Sequence, residues 1–257
     1  MAKKITVVNL IPTYNERQNI TPLLEQYLLL AKKLPRYKFL MLVVDDNSPD
    51  GTGEIVQRYQ SKYKNIFLLK GRKRGLGVAM IRGLKYAVKA LEADIVISNE
   101  ADFAYDIKKI PFMLDQIKDG FDVVVASRHV KGGNTQGWTT NRRLNHWVAN
   151  KLLATWVAGT SEVNDHNGAF RAVRVSGVLN KINLDNLNTA GFGFFNYYMY
   201  KLTAVTKKIC EFPITYRFRT RGESKVSFNS KYVRTYLRDV VEYIMLCARI
   251  RKERLFG

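Results

Sequence analysis

Acidic residues suited to a metal ion follow one of the apolar segments of this chain. Glu100 and Asp102 stand on either side of Ala101, just after the predicted strand at residues 94–98, whose centre is apolar. Residues two apart in an extended segment point the same way, so the two carboxylates can face one ligand. Two carboxylates can hold a hard divalent cation, and such a cation binds diphosphate oxygens. The competing interpretation is a loop that is simply acidic.

Polar side chains also follow four other apolar segments, at residues 5–11, 39–44, 66–69 and 123–126. These segments lead into residues 12–16, Asp45 and Asp46, a turn at 70–77, and Ser127 and Arg128. In open α/β sheets, ligands bind at the carboxyl ends of the strands. We therefore predict that all of these residues gather at one rim of a sheet and form a binding site.

Two features of this rim could contact a nucleotide. Asp45 or Asp46 could accept a hydrogen bond from a base N–H, or could instead form a turn and cap the next helix. The turn at 70–77 interleaves glycines with Arg72, Lys73 and Arg74, and N–H groups at a helix start beside cations suit a phosphate. A plain loop is the alternative for this turn, because it matches neither the Walker pattern nor the dinucleotide fingerprint.

Helices are predicted between these segments, where apolar residues recur at helical spacing. They fall at residues 20–34, 52–63, 81–91 and 110–117. Strands that alternate with helices predict an α/β fold with a mostly parallel central sheet. In the second half, residues 141–157 and 194–206 are expected to be helical and 208–217 extended. A final amphipathic helix is predicted to carry on one face Val233, Leu237, Val240, Ile244 and Ala248.

The motifs of the chain, in their order, resemble those of the family 2 glycosyltransferases. Within that family they are most similar to the polyprenyl-phosphate glycosyltransferases, the group of the dolichol-phosphate mannose synthases. The matching segments cover nearly the whole chain and lie at residues 12–17, 44–52, 75–77, 100–102, 127–128, 132–133, 165–171, 211–214 and 222–225. The resemblance implies a Rossmann-like GT-A domain, which we expect at residues 1–228, followed by the amphipathic helix at 229–257.

The resemblance also implies an activity and a set of site residues. We expect an inverting transfer of a sugar, with GDP-mannose as donor and a polyprenyl or dolichyl phosphate as acceptor. Mg²⁺ or Mn²⁺ would be bound by Glu100 and Asp102, and Asp102 and Arg128 would be catalytic. The nucleotide sugar would be contacted by Pro12, Tyr14, Glu16, Asp45, Asp46, Lys73, Gly75, Glu100, Ala101 and Asp102. Phosphates would be held by Arg128, Arg142 or Arg143, Arg219 and Lys225.

The chain departs from the family pattern near the acidic pair and in the second half. Glu100 replaces the usual aspartate, and other departures are found at Phe103, Ala104, Tyr105, Asp106, Phe195 and Tyr197. Asp106 could replace a ligand that is missing at Ala104. We expect a remodelled donor or acceptor pocket. The alternatives are another donor, a soluble acceptor, or a catalytically degenerate binding subunit on the same scaffold.

Charge and hydropathy restrict the partners. The chain has 42 basic and 22 acidic residues, a net charge of +20, and residues 201–257 alone contain 14 basic and 5 acidic residues. Such an excess favours polyanions: nucleic acid, anionic lipid or phosphorylated substrates. No RNA- or DNA-binding motif is present, so we expect phosphate substrates and no nucleic acid.

The relation to membranes depends on the final helix. No stretch has the ~18 apolar residues of a membrane span, and polar residues interrupt the first apolar segment, so we expect neither a span nor a signal peptide. The final helix could pack on the domain, or its apolar face and basic end could lie on an anionic membrane. The resemblance favours the membrane and implies small membrane-protein subunits as partners. We expect a cytoplasmic protein that is peripheral to the cytoplasmic face of a membrane.

Overall fold

A mixed seven-stranded sheet with helices packed against it forms the centre of the molecule. The computed structural model describes residues 3–187, 193–217 and 233–256. The strands are β1 (Ile5–Thr13), β2 (Tyr37–Asp45), β3 (Ile66–Lys70), β4 (Ile95–Ser98), β5 (Val123–Ser127), β6 (Asn134–Gln136), β7 (Arg171–Arg174), β8 (Ile209–Pro213) and β9 (Thr215–Arg217). The α-helices are α1 (Arg17–Lys33), α2 (Thr52–Lys62), α3 (Leu76–Lys89), α4 (Ile110–Lys118), α5 (Thr140–Trp147), α6 (Gly193–Val205) and α7 (Val233–Phe256).

The order of the strands brings the predicted site residues to one edge. The large sheet runs β3-β2-β1-β4-β7-β5-β8, and its strand pairs are parallel except where β7 lies antiparallel between β4 and β5. In this register Thr13 pairs with Asp45 and Asp45 with Lys70, so β1, β2 and β3 end at one level. The segments that follow these strands therefore begin side by side. β6 and β9 form a separate two-stranded sheet.

The central strands are buried along most of their length. β1 is buried over residues 6–11 and β2 over 39–45, as expected for parallel strands that are covered on both faces. The helices α1, α3 and α4 contribute apolar side chains to the same core. The predicted α/β fold with a mostly parallel sheet is confirmed, and each strand and helix predicted in residues 5–126 is present.

The predicted helix at 141–157 consists of two different kinds of helix. Thr139 caps α5, because its Oγ1 accepts a hydrogen bond from the backbone N–H of Arg142 at 3.3 Å. From Val148 to Val157 the chain continues as a π-helix. The side chain of Asn150, which is buried in this π-helix, accepts from the backbone N–H of His166 at 3.1 Å. The widened helix is thus fastened to the segment that contains Asp165.

The final helix α7 is present as predicted and packs on the domain through one face. Over residues 238–256, the buried side chains are Tyr243, Leu246, Cys247 and Ile250, and contacts with α6 and the π-helix cover this side. Ile244, on the predicted apolar face, is 45% exposed. The helix therefore has a second apolar side that the domain does not cover, and its placement on a membrane stays a prediction.

Two further expectations concern chain segments. The domain boundary predicted between residues 228 and 229 lies outside the described residues and remains a prediction. Among the helices of residues 3–187, 193–217 and 233–256, none is both long and apolar enough to cross a membrane.

Candidate functional site

Asp45, at the end of β2, organises the turn that follows it. Its Oδ1 accepts from Thr13 Oγ1 at 3.0 Å and from Ser48 Oγ at 2.6 Å, and its Oδ2 accepts from the backbone N–H of Ser48 at 2.9 Å. Its neighbour Gly53 lies so close that a Cβ there would be 3.2 Å from Asp45 Oδ2. Asp45 is buried and bonded on both oxygens, which agrees with the turn-forming interpretation of this residue.

Asp46 has a different environment from Asp45, although the two are adjacent. Its Oδ1 accepts from Arg82 Nη2, on α3, at 2.8 Å. Its side chain is 7% exposed and that of Arg82 is 24% exposed. The sequence left open whether Asp45 or Asp46 meets a nucleotide, and both stay predictions. Asp45 is bonded within its own turn, whereas Asp46 is bonded to α3.

The loop after β1 forms the neighbouring wall of the rim. The backbone N–H of Glu16 donates to Thr52 Oγ1 at 3.0 Å, and Glu16 Oε2 accepts from Asn19 Nδ2 at 2.8 Å. Lys73, from the turn after β3, places its Nζ 3.6 Å from the centre of the Tyr14 ring. Tyr14 and Lys73 are therefore in contact, Pro12 lies beside Val44 near the end of β1, and Glu16 is buried.

The glycine-rich turn ends at the start of α3. Gly75 precedes the first residue of the helix and has a φ of 104°, a backbone conformation that favours glycine. The backbone N–H groups of the first turn of α3 follow it directly. A helix start of this kind attracts anions, so its position beside Lys73 agrees with the predicted phosphate contact.

The acidic pair follows β4, next to the first strand. Asn99 fixes the segment, because its Oδ1 accepts from the backbone N–H of Glu100 at 2.8 Å and its Nδ2 donates to Tyr27 Oη at 3.0 Å. Asp102 is buried, and its Oδ1 accepts from the backbone N–H of Ala104 at 3.1 Å. Phe103 has a φ of 61°, which is uncommon for a bulky residue and marks local strain beside the acidic pair.

The acidic pair is chemically suited to a divalent cation. Both side chains supply carboxylate oxygens, which are the ligands that Mg²⁺ and Mn²⁺ prefer. The charges of Glu100 and Asp102, after burial itself, raise the pKa of Tyr216 above its ordinary value. Within the described residues no cluster of three or more His, Cys, Asp or Glu side chains could hold a metal. A cation at this pair would therefore need further ligands from its substrate or from water.

Arg128, at the end of β5, is held by a buried ion pair. Its Nε and Nη2 each lie 2.7 Å from an oxygen of Asp165, and both side chains are buried. Burial opposes both charges, yet Asp165 raises the pKa of Arg128 and Arg128 holds the pKa of Asp165 well below its usual range. Glu211 fixes the segment of Asp165 in turn, because its Oε1 accepts from the backbone N–H of Asp165 at 3.0 Å.

Aromatic side chains connect Arg128 with Arg142. The guanidinium of Arg142 lies 4.6 Å from the ring centre of Trp138, and that of Arg128 lies 5.7 Å from the same ring. The Arg128 guanidinium is also 5.5 Å from the ring of Tyr216, the residue whose pKa is raised by the acidic pair. Tyr216 is thus influenced by the charges of both the carboxylates and the arginines.

The second arginine of the predicted pair points elsewhere. Arg143 Nη2 donates to the backbone carbonyl of Thr135 at 3.3 Å, on the exposed surface beside β6. Of the two alternatives, Arg142 is the one that the structure brings to Arg128. The remaining predicted phosphate contacts, Arg219 and Lys225, lie outside the described residues.

Several members of the site were not predicted from the sequence. They are Trp138, His146, Asp165 as the partner of Arg128, and Tyr216. His146 contacts the ring of Trp138 at 4.9 Å, and its Nδ1 lies 3.1 Å from Nε2 of His129. Burial and the charge of Arg128 lower the pKa of His146, so both rings of this pair are neutral near pH 7. Asp165 belongs to the matched segment at 165–171, which was the one available signal.

The chain belongs to glycosyl transferase family 2, whose sequence model matches residues 10–179. It is 32% identical over 240 residues to a dolichol-phosphate mannosyltransferase of Pyrococcus furiosus, a match that covers 92% of this chain and 62% of the relative. The chain thus spans less than two thirds of the length of that relative. It is also 32% identical over 222 residues to an undecaprenyl-phosphate mannosyltransferase of Micrococcus luteus, covering 86% of this chain and 87% of the relative.

Solved structures with the same fold confirm the predicted GT-A architecture. Mannosyl-3-phosphoglycerate synthase from Rubrobacter xylanophilus matches with a TM-score of 0.65 and 16% identity, over 98% of this chain and 76% of that one. A mannosyltransferase from Pyrobaculum calidifontis, crystallised in complex with GDP-Man and Mn²⁺, matches with a TM-score of 0.56 and 17% identity, over 96% of this chain and 65% of that one. At these identities the likeness shows the fold.

Proposed function

We propose that this chain is an inverting glycosyltransferase that moves mannose from GDP-mannose to the phosphate of a polyprenyl or dolichyl phosphate. The observation that carries the proposal is a pair of opposite charge clusters, Glu100 with Asp102 and Arg128 with Arg142, whose charges all act on Tyr216. The first cluster suits a donor diphosphate with its cation, and the second suits an acceptor phosphate. The names of the two relatives at 32% identity support mannose and a polyprenyl phosphate.

The chemistry needs no side chain that removes a proton. A phosphate monoester is already ionised near neutral pH, so its oxygen can attack C1 of the sugar directly. The new O–C1 bond forms on the face opposite the diphosphate, while the bond from C1 to the diphosphate oxygen breaks. The electron pair leaves on GDP, and the product is an inverted sugar phosphodiester of the lipid.

The residues of the chain bind and orient the two anionic groups. Glu100 and Asp102 would hold Mg²⁺ or Mn²⁺, which supplies Lewis-acid stabilisation to the departing diphosphate when bound. Arg128 and Arg142 would hold the acceptor phosphate, since guanidinium groups offer paired donors to phosphate oxygens. Asp165 already occupies Nε and Nη2 of Arg128, which fixes the position of that charge.

Exposed apolar side chains support a membrane location. On α5 and the π-helix these are Leu144, Trp147, Leu152 and Trp156, and on α7 they are Val241, Ile244 and Met245. The π-helix and α7 are in contact, because Tyr243 Oη donates to the backbone carbonyl of Ala149 at 3.1 Å. With the exposed Arg251 and Lys252 nearby on α7, these side chains would dock on the cytoplasmic face of an anionic membrane. Small membrane-protein subunits would strengthen this docking.

A donor screen tests the proposal. The full chain is incubated with a short polyprenyl phosphate, Mn²⁺ or Mg²⁺, and in turn labelled GDP-mannose, UDP-glucose or UDP-N-acetylglucosamine. The expected result is a labelled glycolipid with GDP-mannose that disappears when EDTA is added. No glycolipid with any donor would contradict the proposal, and tight nucleotide binding without transfer would indicate a binding subunit instead.

A further inference from the structure

One tyrosine of α7 connects this helix with three other parts of the chain. Tyr243 Oη donates to the backbone carbonyl of Ala149, in the π-helix, at 3.1 Å. It accepts from Asn167 Nδ2 at 3.0 Å and from Asn196 Nδ2, on α6, at 2.9 Å. These bonds use the one donor and the two acceptor positions of a hydroxyl group. Because Tyr243 is buried, they fix how α7 lies on the π-helix and on α6.

Asn150 continues these hydrogen bonds through the π-helix. It is buried, and its Oδ1 accepts from the backbone N–H of His166 at 3.1 Å and from Asn167 Nδ2 at 3.4 Å. Asn167 therefore donates both to Asn150 and to Tyr243. On the other side of the amide, Asn150 Nδ2 donates to His146 Nδ1 at 2.9 Å and to the backbone carbonyl of His146 at 3.1 Å. All hydrogen-bonding positions of the Asn150 amide are thus occupied.

These contacts fix the proton positions of two histidines. A backbone N–H can only donate, so the oxygen of the Asn150 amide faces His166 and its nitrogen faces His146. His146 Nδ1 must then accept, which places the proton of this neutral ring on Nε2. Nε2 of His129 lies 3.1 Å from the same Nδ1, and two lone pairs would repel each other at that distance. His129 therefore carries its proton on Nε2 and donates it to His146.

The two histidines adjoin the proposed acceptor site. The ring centre of His146 is 4.9 Å from that of Trp138, and the guanidinium of Arg142 lies 4.6 Å from the Trp138 ring. A cation over an aromatic ring is attracted to its face, so the position of Arg142 depends on that of Trp138. The position of Trp138 depends in turn on His146. His129 directly follows Arg128 in the chain.

A second path leads from Asn150 to Arg128. The backbone N–H that Asn150 accepts belongs to His166, the residue after Asp165, and the carboxylate of Asp165 is paired with Arg128. Both arginines of the proposed acceptor site are therefore connected with α7 through one asparagine. Buried hydrogen bonds are stronger than those in water and specify one arrangement of the groups that they join.

We propose that Tyr243 and Asn150 are positioning residues of the acceptor site. They hold Arg128 and Arg142 where these guanidinium groups can bind the phosphate of the acceptor, without contacting a substrate themselves. The seating of α7 on the π-helix thereby determines how tightly the acceptor is bound. This inference rests on the proposed function, because it takes the two arginines as the phosphate contacts.

Steady-state transfer by the full chain tests this role with Tyr243→Phe, which removes the hydroxyl and keeps the ring. Labelled GDP-mannose and Mn²⁺ are kept saturating while the concentration of a short polyprenyl phosphate is varied. The KM for the polyprenyl phosphate should rise about tenfold, because the hydrogen bonds of one buried hydroxyl are lost. At saturating acceptor kcat should change little, and the Kd for GDP, measured by calorimetry, should stay that of the wild type.

Tyr198→Phe is the matched control. Tyr198 is a buried tyrosine of α6, and its hydroxyl has no hydrogen-bond partner among the described residues. The substitution removes the same oxygen atom from a buried tyrosine without breaking a hydrogen bond. The KM for the polyprenyl phosphate should therefore stay that of the wild type.

Proton–nitrogen NMR spectra of the histidine rings give a second measurement that does not depend on activity. The chain has three histidines, so each ring can be assigned by substitution. In the wild type, His146 is expected to carry its proton on Nε2. Its ring nitrogen signals should shift in Tyr243→Phe, although residue 243 does not touch this ring, and should be unchanged in Tyr198→Phe.

The results separate the positioning role from the proposed function. An acceptor KM or a His146 spectrum that is unchanged in Tyr243→Phe would overturn the positioning role, and so would an equal loss of affinity for GDP and for the acceptor. In each of these cases the wild type still transfers mannose, so the proposed function stands. No glycolipid from the wild type with any donor would contradict the proposed function, and the positioning role with it.

Discussion

Asp165 determines how Arg128 can act at the rim. Because two nitrogens of the guanidinium are bonded to this buried carboxylate, the charge of Arg128 has a fixed position before any phosphate arrives. A preorganised charge loses little conformational entropy on binding. The ion pair would therefore serve the proposed phosphate site as well as the fold.

Removal of that carboxylate should be costly. In Asp165→Asn, Arg128 would remain buried without an opposite charge, and the free energy of unfolding should fall by about 3 kcal/mol. Denaturant unfolding measures the change. Asp185→Asn removes a carboxylate that pairs with Lys85 on the surface, and it should cost less than about 1 kcal/mol. Equal losses in the two variants would show that Asp165 has no special role.

The acidic pair gives a second prediction for single residues. Asp102→Asn should lower kcat by about a hundredfold or more, because several kcal/mol of metal stabilisation would be lost. Asp106→Asn is the matched control, since Asp106 is exposed and its Oδ1 accepts from the backbone N–H of Lys108 at 3.0 Å. Steady-state rates at saturating Mn²⁺ make the comparison. A slow Asp106 variant would reveal that Asp106 replaces the ligand missing at Ala104.

The site residues differ in how far the sequence could reveal them. Glu100, Asp102 and Arg128 were predicted because they lie just after buried strands, and the resemblance to the family implied their roles. Tyr216 and Trp138 were not predicted, since they come from segments that meet the rim only through tertiary packing.

At the scale of elements, the exposed apolar side chains of the π-helix and of α7 should determine binding to a membrane. Trp156 is 76% exposed on the π-helix, and Trp156→Ser should weaken binding to anionic phosphatidylglycerol vesicles by about tenfold, because its apolar area would no longer be buried. Sedimentation with vesicles measures this. Leu29→Ser, a 59% exposed position on α1, is the control and should bind as the wild type does. Equal loss in both would exclude a specific docking surface.

Local pattern was sufficient for the first half of the fold and insufficient for the second. Residues 5–126 alternate between apolar strands and amphipathic helices, so periodicity alone predicts them. β7 was not predicted, because Arg171 and Arg174 at its ends interrupt the apolar pattern that is typical of a strand. Arg171 is nevertheless buried, and its guanidinium donates to the backbone carbonyls of His166 and Phe195 at 3.3 and 3.2 Å. The local sequence cannot predict the burial of such an arginine, because tertiary structure brings these carbonyls to it.

At the scale of the whole molecule, burial of histidine should make the fold sensitive to acid. Burial, with the charge of Arg171, lowers the pKa of His166 to about 4. In the unfolded state His166 has its ordinary pKa near 6.5, so on acidification it binds a proton there before it does so in the folded state. The stabilising contribution of neutral His166 is therefore present at neutral pH and is lost as the pH falls through 6.5 towards 4. The contribution of His166 between pH 7 and pH 5 is about 2 kcal/mol.

Unfolding titrations of His166→Gln test this pH dependence. The difference in unfolding free energy between the wild type and the variant should shrink by about 2 kcal/mol from pH 7 to pH 5. Only the wild type loses stability by protonation of residue 166. Parallel curves over this range would mean that His166 does not titrate between the folded and unfolded states.

The net charge of +20 agrees with the proposed partners, because a nucleotide sugar, a lipid phosphate and an anionic membrane are all negatively charged. The most direct test of the central claim is the transfer of labelled mannose from GDP-mannose to a short polyprenyl phosphate, compared with the matching polyprenol that lacks the phosphate. We predict labelled product from the phosphate alone, and its loss in Arg142→Ala. Label on the free polyprenol, or on neither lipid, would contradict the account.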